Sequence, residues 1–257
     1  MDLQKYGPWA LVIGGSDGTG EAFSRKLAAE GFKVVIAARR SGPLNALAED
    51  LRAKGAEVRT VSVDLTKTDA LEHLRAVTDD IDVGLVIYNA GVVGLPNDFI
   101  KQEAEQYRGY ITLNVINQAE VSHHYGRLMA DRGRGGIILV GSTSSVMGSP
   151  ELAIYTGVKA FSRIFSEGLW LEMEKYGVDV LHHALGFTET PTIKGLELDT
   201  TYAQSPDAAA QEGLDNIANG PLWIAGGQAN IDNVILRSQI PNRAAGLRAT
   251  VIKVRED

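Results

Sequence analysis

Cysteine is missing from the 257 residues of this chain. Its absence removes disulfides, thiolate catalysis and zinc-cysteine sites together. A basic surface is missing as well: 25 Lys and Arg stand against 32 Asp and Glu, a net charge of -7. That balance argues against a general nucleic-acid binder, because neutralising phosphates needs cations. No run approaches the ~18 apolar residues of a membrane span, and Asp2 and Lys5 flank no long apolar stretch that would read as a signal peptide. These absences lead to the expectation of a soluble, cytoplasmic protein with neither membrane nor nucleic acid as partner. Internal repeats, low-complexity stretches and linkers are also lacking, so residues 1–257 are read as one α/β domain, long enough to bury roughly 70 to 75% of its unfolded surface.

What is present is an alternation of strand-length apolar runs with helix-period segments, the pattern of a parallel sheet covered on both faces. Strands are expected at 9–13, 33–37, 57–62, 83–88, 136–140 and 178–184, and helices at 19–30, 43–54, 68–78, 101–130 and 152–175. Gly31, Gly55 and Gly177 stand where helices would end. In the last of these helices, Phe161, Ile164, Phe165, Leu169, Trp170 and Leu171 cover more than one stripe, implying a second buried face, on another subunit. Farther on, Ser205-Pro-Asp-Ala opens a helix, and Leu222-Trp-Ile supplies a seventh strand. The tail from about 228 to 257 reads as two helices, 230–239 and 242–253, around Pro241.

The first strand, Trp9-Ala-Leu-Val-Ile13, runs directly into Gly14-Gly-Ser-Asp-Gly-Thr-Gly20 and then a helix. Strand, glycine-rich turn and helix start is the arrangement in which backbone N–H groups and a positive helix end face a pyrophosphate. Gly14, Gly18 and Gly20 provide a tight turn, close backbone approach and tight helix-on-strand packing. A second constellation is Tyr155 and Lys159, with Ser142 thirteen positions before the tyrosine. On a helix over 152–175, phenol and ammonium share one face at i and i+4. Free tyrosine titrates near ~10 and each unit is ~1.4 kcal/mol, so a phenol active near neutral pH asks ~4 kcal/mol of the neighbouring charge. Such a pair also arises by chance on solvated helix faces. The dinucleotide loop is what gives it a purpose.

Taken together these motifs resemble the short-chain dehydrogenases/reductases in their compact form, over about residues 8 to 190. The family's Thr-Gly-x-x-x-Gly-x-Gly loop matches Gly14, Gly18 and Gly20, with Ile13 in place of the threonine; its Asn-Ala-Gly is Asn89, Ala90 and Gly91. Its aspartate after the third strand is Asp64, followed by Leu65; its helix asparagine is Asn114; its serine and Tyr-x-x-x-Lys are Ser142, Tyr155 and Lys159. Pro-Gly-x-x-x-Thr appears as Leu185, Gly186, Phe187, Thr188, Glu189 and Thr190. The resemblance implies a Rossmann-like, doubly wound parallel sheet of about seven strands. It also implies a catalytic set of Asn114, Ser142, Tyr155 and Lys159. Cofactor contacts would come from Gly14, Ser16, Gly18, Thr19, Gly20, Asp64, Leu65, Asn89, Ala90, Gly91, Tyr155, Lys159, Gly186, Thr188 and Thr190. In carbonyl reduction Tyr155 would protonate the alkoxide, Ser142 would hold the same oxygen, Lys159 would lower the tyrosine pKa and meet the ribose, and Asn114 would hold a water.

Cofactor choice is read at the end of the second strand, where Ala37-Ala38-Arg39-Arg40 offers no carboxylate for a ribose 2′-hydroxyl and two guanidiniums for a 2′-phosphate. NADP(H) is favoured, with NAD(H) as the alternative, because Asp17 competes near the phosphate and a solvated strand end is the lesser reading of the arginines. Met147, Leu152 and Phe187 are candidates for the substrate pocket, core packing being the other reading of each. Ile193 and Leu196, in a lid at about 190–204, suit a hydrophobic alcohol or ketone; an ordinary surface helix is the alternative. His123, His124, His182 and His183 lack metal-site spacing and are read as structural, and no metal is expected. The expected function is an NADP(H)-dependent oxidoreductase interconverting a secondary alcohol and a ketone, as a homodimer or homotetramer. A cofactor-binding sensor and an epimerase or lyase are the competing classes; the first has no need of a phenol, and the second generally carries a longer substrate domain.

Overall fold

Strands such as Trp9–Ile13 (β1) and Val83–Tyr88 (β4) are apolar without alternation and buried along their whole length, which is possible only where both sheet faces are covered. The computed structural model describes residues 1–91, 97–189, 203–239 and 243–249. The other strands are β2 (Lys33–Ala38), β3 (Val58–Ser62), β5 (Gly135–Ser142), β6 (Val178–Leu185) and β7 (Leu222–Ile224). They form one seven-stranded, all-parallel sheet in the order β3-β2-β1-β4-β5-β6-β7. The order reverses between β1 and β4, and the carboxyl ends of the strands there are where an open α/β sheet takes its ligand.

On one face, α2 (Gly18–Ala29), α3 (Ser41–Ala53) and α8 (Pro206–Asp215) press Phe23, Leu27, Leu44, Leu47 and Leu214 onto Val34, Ile36 and Leu181. On the other, α4 (Ala70–Arg75), α6 (Asn117–Arg132) and α7 (Ala153–Met173) bring Leu74, Val121, Tyr125, Met129, Phe165 and Leu169 onto Leu11, Val86, Leu139 and Val180. The exposed Ile164 and Leu171 put the second apolar face of α7 on the surface of the single chain. Beyond the sheet lie α9 (Gln228–Ser238) and α10 (Arg243–Ala249). Residues 190–202 of the candidate lid at 190–204 and the end of the tail lie outside the described residues.

The expected helix over 101–130 is the main correction. It divides into a 3-10 turn (Phe99–Lys101), α5 (Ala104–Ile111), a π turn (Thr112–Ile116) and α6. Inside the π turn the Asn114 side chain donates Nδ2–H to the Tyr110 carbonyl at 3.0 Å, four residues back, the acceptor that its own N–H would use in a regular helix. The helix expected at 68–78 shortens to α4.

A short helix preceding β1, α1 (Leu3–Tyr6), has no periodic signal in the sequence, yet it explains a bulge. Trp9 pairs with Val83 and Ala10 with Leu85, so Gly84 is the residue passed over. A Cβ on Gly84 would lie 2.5 Å from the Tyr6 carbonyl oxygen, and the Tyr6 hydroxyl donates to Asp179 at 2.5 Å. Only glycine fits under α1. Gly84→Ala is expected to cost about 1–3 kcal/mol, read as a lower urea midpoint at unchanged slope; a midpoint equal to wild type would refute the packing argument.

Candidate active site

The carbonyl of Ala37, in β2, accepts Gly14 N–H (2.8 Å) and Gly15 N–H (3.1 Å), and the carbonyl of Ile13 accepts Asn89 N–H (2.9 Å) and Ala90 N–H (2.8 Å). Asn89 Nδ2 adds a bond to the Gly14 carbonyl at 3.0 Å. The glycine loop is thereby fixed to the strands on either side of β1. Gly14 sits at φ 78°, and a Cβ there would approach Ala90 N to 2.7 Å; a Cβ on Gly20 would reach Gly14 O at 1.9 Å. At the start of α2, Asp17 accepts Gly18 N–H at 2.8 Å, and Thr19 is buried with an Oγ1 that has no partner. An unmet hydroxyl, a helix N-terminus and a backbone stripped of side chains fit the diphosphate of a nucleotide cofactor.

From this loop a cleft of about 360 Å³ runs along the carboxyl ends of the strands. Of the residues expected at the cofactor, Gly14, Ser16, Gly18, Thr19, Arg39, Arg40, Asp64, Leu65, Asn89, Ala90, Gly91, Gly186 and Thr188 line it, together with Ser142, Tyr155 and Lys159. Gly20 lies behind the loop as a packing residue, and Asn114 stands behind Gly91. Thr190, Ile193 and Leu196 fall outside the described residues. Met147, Leu152 and Phe187 do not line this cleft; Met147 is buried and Phe187 half exposed.

Ser142 closes β5, and its Oγ accepts Ser144 N–H at 3.1 Å to cap the 3-10 turn Thr143–Val146. Lys159, buried on α7, donates to the Val140 carbonyl at 3.4 Å and holds Nζ 6.0 Å from the centre of the Tyr155 ring. A Cβ on Gly91 would lie 3.0 Å from Lys159 Nζ and 3.6 Å from Asn114 Oδ1, so the glycine leaves lysine and asparagine the space they share. His182 fills another such space. A Cβ on Gly141 would fall 2.1 Å from its Cε1 and Nε2, which makes both residues structural supports of the strand carrying Ser142. Gly141, Val63, Thr66 and Leu113 line the cleft without having been anticipated; the Val140-Gly141-Ser142 run was the available signal for the first.

Arg39 and Arg40 do not act as a pair. Arg40 Nη2 binds Asp17 at 2.5 Å, while Arg39 is exposed and its side chain makes no hydrogen bond or ion pair among the described residues. Burial pushes the Asp64 carboxyl up, but hydrogen bonds from Thr66 N–H and Oγ1–H and the Arg39 charge outweigh it, holding the group below its usual range.

A family model described as short chain dehydrogenase matches residues 8–200. The chain belongs to the short-chain dehydrogenase/reductase family. The 7beta-hydroxysteroid dehydrogenase of Collinsella aerofaciens is 33% identical over 242 residues, covering 90% of each chain. A very-long-chain 3-oxoacyl-CoA reductase of Podospora anserina is 30% identical over 95% of this chain and 76% of its own length. Among solved structures, one from a study of 7beta-hydroxysteroid dehydrogenase stereoselectivity superposes with a TM-score of 0.89 at 30% identity, covering 96% of this chain and 98% of its own. A Sphingobium yanoikuyae short-chain dehydrogenase in complex with NADPH gives a TM-score of 0.80 at 25% identity, covering 97% and 98%. This short-chain dehydrogenase/reductase is an NAD(P)-dependent oxidoreductase acting on CH–OH and C=O groups. Among its described residues no helix is long and apolar enough to cross a membrane, and no three metal-binding side chains meet.

Burial dominates the electrostatics of its site. It pushes the Tyr155 phenol up, with the Ser142 hydrogen bond opposing, so the lowering expected from Lys159 is not met in this state. It pushes Lys159 down to about 8. His182 is held neutral, lowered to about 3 by burial first and by the charges of Lys159 and Arg163 next, and both its ring nitrogens lack a partner. For Lys159 the unfolded chain binds the extra proton between about 8 and 10.5, so the folded state gains stability as pH rises across that window. Lys159→Met removes the buried charge. The variant is expected to be more stable than wild type at pH 7, with the gap narrowing toward pH 10.5 in denaturant titrations; a constant gap would contradict it.

Proposed function

We propose that this enzyme interconverts a secondary alcohol and a ketone with NADP(H), Tyr155 serving as the acid and base. The observation that carries the reading is that one continuous cleft has Gly14, Gly18 and Thr19 at one end and Ser142, Tyr155 and Lys159 on its wall at the other. A nicotinamide nucleotide bound there supplies or accepts the hydride. The chain's own residues do the rest. The loop N–H groups and Thr19 hold the diphosphate, Ser16 assists them, Asp64 and Leu65 flank the adenine, and Asn89, Ala90, Gly91, Gly186 and Thr188 flank the nicotinamide half, with Lys159 on its ribose.

Burial keeps the Tyr155 phenol protonated at neutral pH, which suits it to give its proton to the oxygen of a carbonyl being reduced while Ser142 donates a hydrogen bond to the same atom. Lys159 carries its charge over most of the neutral range and steadies the tyrosinate that follows. Asn114, set inward by the π turn, faces the lysine across Gly91 and holds a water for proton return. The relatives named as hydroxysteroid dehydrogenases support a bulky, largely apolar substrate body.

Arg39 supports NADP(H) over NAD(H): it lines the cleft, makes no hydrogen bond or ion pair among the described residues and stands where no carboxylate follows β2. Arg40 contributes by neutralising Asp17.

Tyr155→Phe is expected to lower turnover by at least about 10²-fold while NADPH still quenches protein fluorescence; near-normal activity would remove the assignment. In Arg39→Ala the ratio of kcat/KM for NADPH to that for NADH should drop by about tenfold or more, the loss of one charge-assisted contact. An unchanged ratio would count against the arginine.

A further inference from the structure

Past the end of β6 the cleft wall continues through Gly186 and Thr188. The residue before them is Leu185, so no proline fixes φ at this bend, and the glycine that follows adds freedom of its own. Two neighbours hold the segment instead. On one side the carboxamide of Asn230, at the start of α9, occupies the space that two glycines leave open: a Cβ on Gly186 or on Gly226 would lie 2.4 Å from its Nδ2. The same Nδ2 donates to the Ala225 carbonyl at 2.7 Å. On the other side Gln204 runs parallel to Thr188, donating its N–H to the Phe187 carbonyl (2.9 Å) and accepting Glu189 N–H (3.0 Å).

Glu212, half-buried on α8, joins these two holders. Its Oε1 accepts Gln204 Nε2–H at 2.5 Å, and Gly226 N–H reaches both of its oxygens, at 3.3 and 3.4 Å. Its Oε2 also accepts Trp223 Nε1–H from β7 at 3.0 Å. The contacts close a ring that runs from Gly186 through Asn230, Gly226, Glu212 and Gln204 back to Thr188. Among the described residues the carboxylate forms no ion pair; it serves as an acceptor for three neutral donors. Such bonds are stronger for its charge, and an amide in its place would turn its own NH₂ toward one of those donors. Neither Glu212 nor Asn230 lines the cleft, so either can act on a ligand there only through the segment they hold.

We propose that Glu212 and Asn230 are positioning residues for the cofactor, bracing residues 186–189 so that Gly186 and Thr188 meet its nicotinamide half. The assignment rests on the NADP(H) reading of the cleft, in which this segment flanks that half. The brace takes the part that a proline at 185 would otherwise share, and it gives α8 and the start of α9, both outside the cleft, a hold on where the nicotinamide lies.

The test uses the full chain and two ligands titrated by calorimetry: NADPH, and 2′-phospho-ADP-ribose, the same nucleotide without its nicotinamide. Wild type should bind NADPH the more tightly. Glu212→Met and Asn230→Ala should each raise the Kd for NADPH by about tenfold and leave that for the truncated nucleotide within about twofold, with Glu212→Gln between. Hydrogen exchange without ligand should be faster in Glu212→Met at the Glu189 and Gln204 amides and unchanged at Asn89 and Ala90. Equal loss for both ligands, as a general weakening of the fold would give, or no loss for either, would overturn the assignment. A wild type that holds the two ligands alike, with exchange still faster in the variant, would instead sink the placement of a nicotinamide at this wall and leave the brace standing.

Discussion

Two backbone carbonyls anchor the ligand side of this molecule. Ile13 and Ala37 each accept two N–H groups, and the four bonds fasten the end of β1 to the loop after β4 and the glycine loop to β2. With the loop so held, α2 starts with its N-terminus toward the cleft, and the absence of side chains at Gly14 and Gly20 becomes obligatory rather than convenient. The parallel sheet provides the rest by geometry. Carboxyl ends of β1, β4 and β5 emerge side by side, so Ser142 and the glycine loop share one crevice despite being far apart in sequence.

Much of this was legible because the responsible signals are local. Apolar runs flanked by glycine marked six strands to within two residues, and Leu222-Trp-Ile the seventh, since a fully buried parallel strand leaves no other use for such a run. The Tyr155–Lys159 spacing placed both residues on one helix face, and the structure brings them to the cleft with Ser142. What stayed hidden depends on contacts between distant segments. Asp17 and Arg40 lie 23 positions apart, and no periodicity announces their pairing, which changes the meaning of the Arg39-Arg40 pair. The π turn inside the helix expected at 101–130 holds an asparagine side chain bonded to a backbone carbonyl four residues back, and α1 rests on a glycine in β4. His182 was read as structural. Structural it is, but beneath the residue that precedes Ser142.

Desolvation is the common theme of the site's polar groups. Lys159 and His182 are buried and Tyr155 half-buried on the same side of the sheet, and in each case desolvation disfavours the charged form. Stability is given up to hold these groups in a dry space, where a single proton or a single new charge has large effect. The strand at their centre is correspondingly reinforced: β5 pairs with β6 along eight residues, and the His182 ring replaces the side chain Gly141 lacks.

The π turn at Thr112–Ile116 has one further consequence. A turn of this type holds about one residue more than an α turn, so the angular phase of the helix after it is offset from the phase before it. Upstream, α5 has no buried residue; downstream, α6 buries Asn117, Gln118, Val121, Ser122, Tyr125, Gly126 and Met129 against the sheet. The two halves thus present differently phased faces along one continuous axis. The register that α6 needs on the sheet is therefore not the register α5 presents to its own surroundings, and Asn114 sits at the joint between them.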